Sequence, residues 1–205
     1  HAMHSYLSTH TQVYPKAYYP IFLAEIASTT NEVLLIKYLL SKTDDKEMKK
    51  YLLSHYIDKF RSSAFRQSMF AEFEEIAHSM EEKGEPLTSD ALSKAYYELN
   101  QKYYGPAVVS DKDIEIEWAR IPHFYGAFYV YKYSTGLITA VAIANKILQE
   151  GEPMVKKYME FLSAGGCDTP INILKKAGID LTTKEPFQYA MDELKNTIEE
   201  LKKLM

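Results

Sequence analysis

The chain has 205 residues, of which 46% are hydrophobic, 13% aromatic and 25% charged. This length and composition provide enough apolar material for a buried core, which excludes a disordered chain, a collagen-like chain and a disulfide-stapled scaffold. The formal charge of −4 and the absence of a block of Lys or Arg argue against nucleic acid as a partner. The longest uncharged apolar stretch, residues 133–145, is too short to cross a membrane, so no membrane association is expected.

Cysteine usage indicates the cellular compartment. Cys167 is the single cysteine, so an internal disulfide is impossible, and no signal-peptide pattern opens the chain. Both observations predict a reducing, cytoplasmic location.

The spacing of apolar residues predicts the fold class. Apolar residues recur at helical intervals along nearly the whole chain, without the sustained alternation typical of a strand. We therefore expect an all-α protein that forms a single mostly helical domain. After a polar opening, the predicted helices cover about 21–40, 46–83, 91–104 and 125–150, followed by a short helix ending at Leu162, one beginning at Pro170 and a charged one at the carboxyl end.

Turn and capping residues set the boundaries of these helices. Ser89 is expected to cap the third helix, and Asp168 or Thr169 the helix that has Pro170 at its first position. Residues 108–120 lack a clear helical pattern, and we expect extended segments there.

The first long predicted helix carries two carboxylates where its apolar surface begins. Glu25 and Glu32 share a face that is polar at its start and apolar further along. A carboxylate removed from water needs a hydrogen bond, an ion pair or a bound cation. A buried ion pair with Lys or Arg, a helix whose first turns are solvated, and metal ligation therefore all stay open.

Histidines precede this helix. His1, His4 and His10 lie within the first ten residues, and His1 and His4 share a face if that segment is helical. Imidazole and carboxylate are the usual ligands of a catalytic zinc ion. A solvated turn or an expression remnant at the chain end explains the same residues equally well.

Four tyrosines fall within nine residues, at positions 125, 129, 131 and 133. On the helix predicted from 125, Tyr125, Tyr129 and Tyr133 share one face. A buried phenol hydroxyl needs a hydrogen-bond partner, so this density favours a polar pocket as the alternative to an aromatic core.

Five stretches spread over nearly the whole chain resemble the carboxy-terminal catalytic part of an oligoendopeptidase F-type zinc metallopeptidase, a relative of thimet oligopeptidase. They read HAMHSY at 1–6, FLAEIASTTNE at 22–32, FRQSMFAEF at 65–73, IPHFY at 121–125 with FYVYKY at 128–133, and LSAGG at 162–166. In that family a helical His-Glu-x-x-His motif supplies two zinc ligands and the general base, and a glutamate on the following helix supplies the third ligand. The resemblance implies that His1 is the last histidine of the motif and that Glu25 is the third ligand.

The resemblance also implies roles for residues further along the chain. His123 would contact the substrate, and Tyr131 would donate to the developing oxyanion, with Tyr129 as the second choice for that role and a substrate-binding residue. Gly165 and Gly166 would line the substrate channel, although a glycine-rich helix connection explains them equally well.

One departure from the family pattern affects activity. The chain begins at the last histidine of the motif, so the first histidine and the glutamate between them are absent. We therefore expect these 205 residues alone to hold zinc weakly or not at all and to cleave no peptide.

These observations predict a fragment of a zinc-dependent oligoendopeptidase that hydrolyses internal bonds of short peptides. The alternative is a non-enzymatic helical scaffold that binds a peptide or a protein in a tyrosine-rich groove. Self-association is expected in the first case, because a catalytic fragment without its covering domain exposes an apolar cleft.

Overall fold

The computed structural model describes all residues 1–205 and confirms the all-α class, since no strand is present. No helix combines the length and the apolarity that a membrane crossing requires. The helices are α1 (Ala2–Thr11), α2 (Tyr14–Ala17), α3 (Ile21–Lys42), α4 (Lys46–Lys59), α5 (Arg66–Glu82), α6 (Ser89–Tyr104), α7 (Tyr131–Glu150), α8 (Glu152–Ser163), α9 (Pro170–Lys176) and α10 (Glu185–Leu204). A π-helical segment (Phe60–Phe65) and two 3₁₀ segments (Lys112–Arg120 and Pro122–Tyr125) complete the helical structure.

The chain divides into two compact units. The terminal unit comprises residues 1–60 and 135–205, and the inserted unit comprises residues 61–134. A compact unit is not by itself an independent domain, so the expectation of one domain over the whole chain stays a prediction.

The core of the terminal unit is formed by α3, α7, α8 and α9. Leu23 and Ile26 of α3 are fully buried and pack with Ile143 of α7, and the cluster continues through Phe161 of α8 and Ile173 of α9. Because α3 contributes apolar residues on several faces, it lies in the middle of this unit and its position is strongly constrained.

The core of the inserted unit is mainly aromatic. Phe70 and Phe73 of α5 pack against Tyr96 of α6, with the rings of Phe73 and Tyr96 meeting edge-on at 5.3 Å between centroids. Edge-to-face contacts of this kind stabilise a core beyond the area they bury. Val130 completes the cluster from the segment that precedes α7.

The structure adds one helix and corrects one prediction of segment type. The polar opening contains the helix α1, which packs against α8 even though its own amphipathic pattern is weak. Residues 112–120 form a 3₁₀ helix along α6 rather than extended segments.

The structure also corrects three helix boundaries. Thr88 caps α6 instead of Ser89, by accepting a hydrogen bond from the N–H of Ala91. The helix predicted over 46–83 is interrupted by the π-helical segment. The helix predicted from 125 begins at Tyr131, because Phe128 has a φ of 55°, which a right-handed helix cannot contain.

Candidate functional site

The site residues expected from the sequence fall in both units. His1, Glu25, Gly165 and Gly166 belong to the terminal unit, and His123, Tyr129 and Tyr131 belong to the inserted unit.

The Glu25 carboxylate lies half-buried on α3 without a hydrogen-bond or ion-pair partner. Its main-chain carbonyl accepts a hydrogen bond from the Ser28 hydroxyl, and a Cβ at Gly136 of α7 would lie 3.3 Å from its own Cβ. Glu32, on the same helix, is instead paired with Lys59. Glu32 is thus an exposed residue with an ion-pair partner, whereas the Glu25 carboxylate has none.

His1 is exposed at the amino end of α1, where its carbonyl accepts the Ser5 N–H at 2.9 Å. An imidazole and a carboxylate are donors that suit zinc. The structure contains no group of three or more His, Cys, Asp or Glu side chains arranged to hold a metal ion. His1 and Glu25 therefore match zinc in kind, but this chain does not supply the three protein ligands typical of a catalytic zinc.

A second histidine of α1 is enclosed. His4 is 1% exposed, its ring stacks on Tyr19 at 3.6 Å between centroids, and neither ring nitrogen has a hydrogen-bond partner. Burial, with a smaller contribution from the amino-terminal ammonium group, lowers the pKa of His4 to about 4. A buried imidazole without an acceptor is held in its neutral form.

Gly165 and Gly166 allow two main-chain segments to approach closely. A Cβ at Gly165, whose φ is +55°, would lie 2.2 Å from the Lys16 carbonyl oxygen, and one at Gly166 would lie 2.6 Å from that of Tyr18. The Gly166 N–H donates to the Lys16 carbonyl at 2.8 Å. Packing thus requires both glycines, and their contact with a substrate stays a prediction.

His123, Tyr129 and Tyr133 form one cluster in the inserted unit. The His123 Nε2 lies 3.3 Å from the Tyr133 hydroxyl, and the His123 ring lies 5.7 Å from the Tyr129 ring and 5.8 Å from the Tyr133 ring. Tyr125 is 90% exposed and precedes α7, so the predicted three-tyrosine helix face is wrong. The site hypothesis singled out Tyr129 but not Tyr133, although their i, i+4 spacing was the available signal.

A lysine lies beside the phenol rings of Tyr129 and Tyr131, which are called the phenols below. The Lys132 Nζ is 4.7 Å from the centroid of the Tyr129 ring and 5.7 Å from that of Tyr131, which is 37% exposed. An ammonium group over an aromatic face is attracted by its electron density. Sequence reasoning missed Lys132, whose signal is its place among the tyrosines.

A buried acid supports the segment that carries the phenols. Glu74 of α5 is 4% exposed, and its Oε1 accepts the Phe128 N–H at 3.0 Å. Burial raises the pKa of Glu74, and the Phe128 hydrogen bond opposes that rise. Sequence reasoning missed this residue too; the signal is an acid that follows Phe70 and Phe73 on the buried face of one helix.

A second buried acid ties the 3₁₀ segment 112–120 to α5 and α6. Glu117 accepts hydrogen bonds from Arg66 and from the Tyr96 hydroxyl, each at 2.6 Å, and also pairs with Arg120. Burial alone would raise the pKa of Glu117, but the bonds from Tyr96 and Arg66 outweigh it and the pKa is lowered.

The cavities of the inserted unit lie elsewhere. One of about 560 Å³ is lined by residues of 111–120, and another of about 240 Å³ includes Arg66 and Tyr104. Both are open to solvent, and neither is lined by His123, Tyr129 or Tyr131. The clustered side chains therefore define the candidate site, because an open concavity without convergent reactive groups does not define an active site.

A model of the family described as Peptidase family M3 matches residues 1–193. The chain belongs to peptidase family M3. This finding confirms the resemblance on which the site residues were assigned.

Relatives within family M3 match the chain over its whole length. Oligopeptidase PepF of Bacillus subtilis is 47% identical over 205 residues, and a plasmid oligoendopeptidase F of Lactococcus lactis is 44% identical over 205 residues. The crystal structure of oligoendopeptidase F from Enterococcus faecium matches 100% of this chain with a TM-score of 0.88 and 46% identity. The chain spans 31%, 34% and 37% of these three proteins, respectively.

Proposed function

We propose that this chain is the carboxy-terminal catalytic part of a cytoplasmic zinc-dependent oligoendopeptidase that hydrolyses internal bonds of short peptides. Membership of peptidase family M3 supports the reaction class. The observation that carries the metal assignment is the half-buried Glu25 carboxylate, which has no protein partner, whereas Glu32 on the same helix is paired.

His1 and Glu25 would hold the zinc ion together with ligands from outside these 205 residues. When bound, zinc lowers the pKa of a water molecule and stabilises charge on a peptide carbonyl. In this chain, Gly136 contributes by allowing α7 to pack directly against Glu25, which restricts the movement of the helix that carries the carboxylate.

His123, Tyr129 and Tyr131 would bind the peptide and stabilise the tetrahedral intermediate. Tyr131 is our first choice for the phenol that donates to the oxyanion, and Tyr129 is the second. The position of the Lys132 ammonium group over both rings supports the assignment, because a nearby positive charge favours negative charge on a phenol oxygen and so makes its hydroxyl a stronger hydrogen-bond donor. Gly165 and Gly166 are retained in the proposal as part of the substrate channel.

The isolated 205 residues should be inactive. With two zinc ligands and without the motif's glutamate, the 205 residues alone should hold zinc weakly and leave peptides intact. A complete site requires the chain to be joined to the rest of a family M3 protein.

Zinc content and peptide hydrolysis of two proteins test the proposal. One is this chain, and the other, the PepF chimera, has this chain in place of the matching 31% of the Bacillus subtilis relative. Stoichiometric zinc and hydrolysis of a short fluorogenic peptide in the PepF chimera alone are the expected results. A matched pair of variants makes the test specific: E25Q should lose zinc and activity, and E32Q should keep both.

Two outcomes contradict the proposal. Tight zinc binding and hydrolysis by the isolated chain would overturn the statement about the fragment. A folded PepF chimera that holds no zinc and cleaves nothing, but binds peptide, would favour the non-enzymatic scaffold instead.

The role of Tyr131 is tested in the same chimera. Removing a donor to the oxyanion costs about 2.7–4 kcal/mol, or roughly 10²–10³ in rate, so Y131F should lower kcat by that factor with little change in KM. Y125F is the control, since Tyr125 is 90% exposed and outside the cluster. An unchanged kcat in Y131F, with a loss in Y129F, would transfer the role to Tyr129.

A further inference from the structure

The segment that carries the phenols contains an unusual backbone conformation. Phe128 has a φ of 55°, and it is the only non-glycine residue of the chain with a positive φ. A side chain with a Cβ is disfavoured in this region because Cβ approaches the following carbonyl oxygen. Such a conformation persists only where the surrounding structure holds it.

Two side chains of α5 hold Phe128 in place. The Glu74 carboxylate accepts the Phe128 N–H at 3.0 Å, and the His78 ring, one helical turn further along, lies 4.5 Å from the Phe128 ring. Glu74 is 4% exposed, whereas Phe128 is 48% exposed. Since a half-exposed ring provides little packing energy, the hydrogen bond from the main chain to a buried acid is the stronger restraint.

The same restraint acts on the residues that follow. Val130 is fully buried in the aromatic core of the inserted unit, so the main chain is held at Phe128 and again at Val130. Tyr129 lies between these two points, and Tyr131 comes directly after them at the start of α7. Without the restraint at Phe128, the Tyr129 side chain would lose its fixed direction toward His123.

We infer that Glu74 is a positioning residue, which holds the Phe128 main chain in its left-handed conformation and thereby places the Tyr129 phenol against His123. Its importance for peptide hydrolysis rests on the proposed function, but its effect on the placement of Tyr129 does not. Glu74 itself touches no reacting atom in this scheme.

The first test is made on the 205-residue chain by NMR. E74M removes the acceptor while keeping the length and the burial of the side chain, and E74Q keeps an oxygen acceptor without the charge. We expect amide exchange at Phe128 to rise about ten-fold or more in E74M, with loss of the NOE contacts between Tyr129 and His123. E74Q should retain the contacts, and E75M, at an exposed neighbouring acid, should match the wild type.

The second test is kinetic and uses the PepF chimera. Tyr129 is proposed to contact the substrate, so displacing its phenol in E74M should lower kcat/KM by about ten- to a hundred-fold, and E74Q should restore most of it. An unchanged Phe128 amide and intact Tyr129–His123 contacts in E74M would overturn the inference, as would a kcat/KM equal to that of E75M. An inactive wild-type chimera would contradict the proposed function. The NMR test would still decide whether Glu74 places the Tyr129 phenol against His123.

Discussion

Replacing His4 by Phe tests whether burial of an unpartnered imidazole makes the terminal unit sensitive to acid. The His4 side chain is 1% exposed and stacks on Tyr19, and neither of its nitrogens is hydrogen-bonded. Phe keeps a ring that can stack at this position and cannot take up a proton. The variant therefore removes the titration while preserving the contact.

The magnitude follows from the pKa of His4, which burial lowers from 6.5 to about 4. Between these values the unfolded chain binds a proton that the folded chain does not, so stability falls as the pH is lowered from 6.5 toward 4. Each pKa unit corresponds to about 1.4 kcal/mol. The wild-type chain should thus lose about 3 kcal/mol of unfolding free energy between pH 7 and pH 4 through His4 alone.

Urea unfolding at a series of pH values, followed by far-UV circular dichroism, measures this loss. The unfolding free energy of H4F should fall by about 3 kcal/mol less than that of the wild type over the same range. H10F is the matched control, because His10 lies exposed on the same helix and its removal should leave the wild-type pH dependence in place. Parallel curves for the wild type and H4F would refute the reasoning and show that His4 gains a partner or solvent in solution.

Three further predictions concern the loops and the inserted unit. G165A should lower the unfolding free energy by about 3 kcal/mol or more, because the new Cβ collides with the Lys16 carbonyl oxygen in addition to the strain of the left-handed conformation. G178A is the control: Gly178 has a φ of +78° and open space around it, so only the strain of about 1–2 kcal/mol is expected. Thermal unfolding of the two variants measures the difference. F128G should be more stable than F128A by about 1 kcal/mol, because only glycine adopts the φ of 55° freely. Chemical unfolding of both variants measures this difference, and equal stability would show that the left-handed conformation is absent in solution. E117Q should destabilise the inserted unit by about 3 kcal/mol at neutral pH, measured by fluorescence of Trp118, the single tryptophan. Because the pKa of Glu117 is lowered, the unfolding free energy of the wild type should decrease as the pH falls through about 4.5 and below, and that of E117Q should decrease less.

The parts of the fold that local sequence determines were predictable. Thr169 caps α9 with Pro170 at its first position, as expected, since both preferences depend on residues within one helical turn. The helix α1 was not predictable, because packing against α8 stabilises it more than its own weak apolar pattern does.

In the candidate site, too, some residues were predictable from the sequence and others were not. The resemblance of short motifs indicated His1, Glu25 and the phenols, because each motif is continuous in the sequence. The support from Glu74 was hidden, since it lies 54 residues before Phe128 and acts on its backbone N–H rather than on a recognisable side chain. Main-chain restraints between distant segments leave no periodic signal in a sequence.

The start of α7 shows why a regular helix would serve this segment less well. If the helix began at 125, as its spacing suggests, Tyr125, Tyr129 and Tyr133 would project from one face at fixed intervals, and the His123 ring would lie just beyond its end. The left-handed turn at Phe128 delays the helix to Tyr131, and the Tyr129 and His123 rings instead lie 5.7 Å apart. The irregular backbone conformation thus coincides with the residues assigned to substrate, and a locally unfavourable conformation is tolerated where it determines the direction of functional side chains.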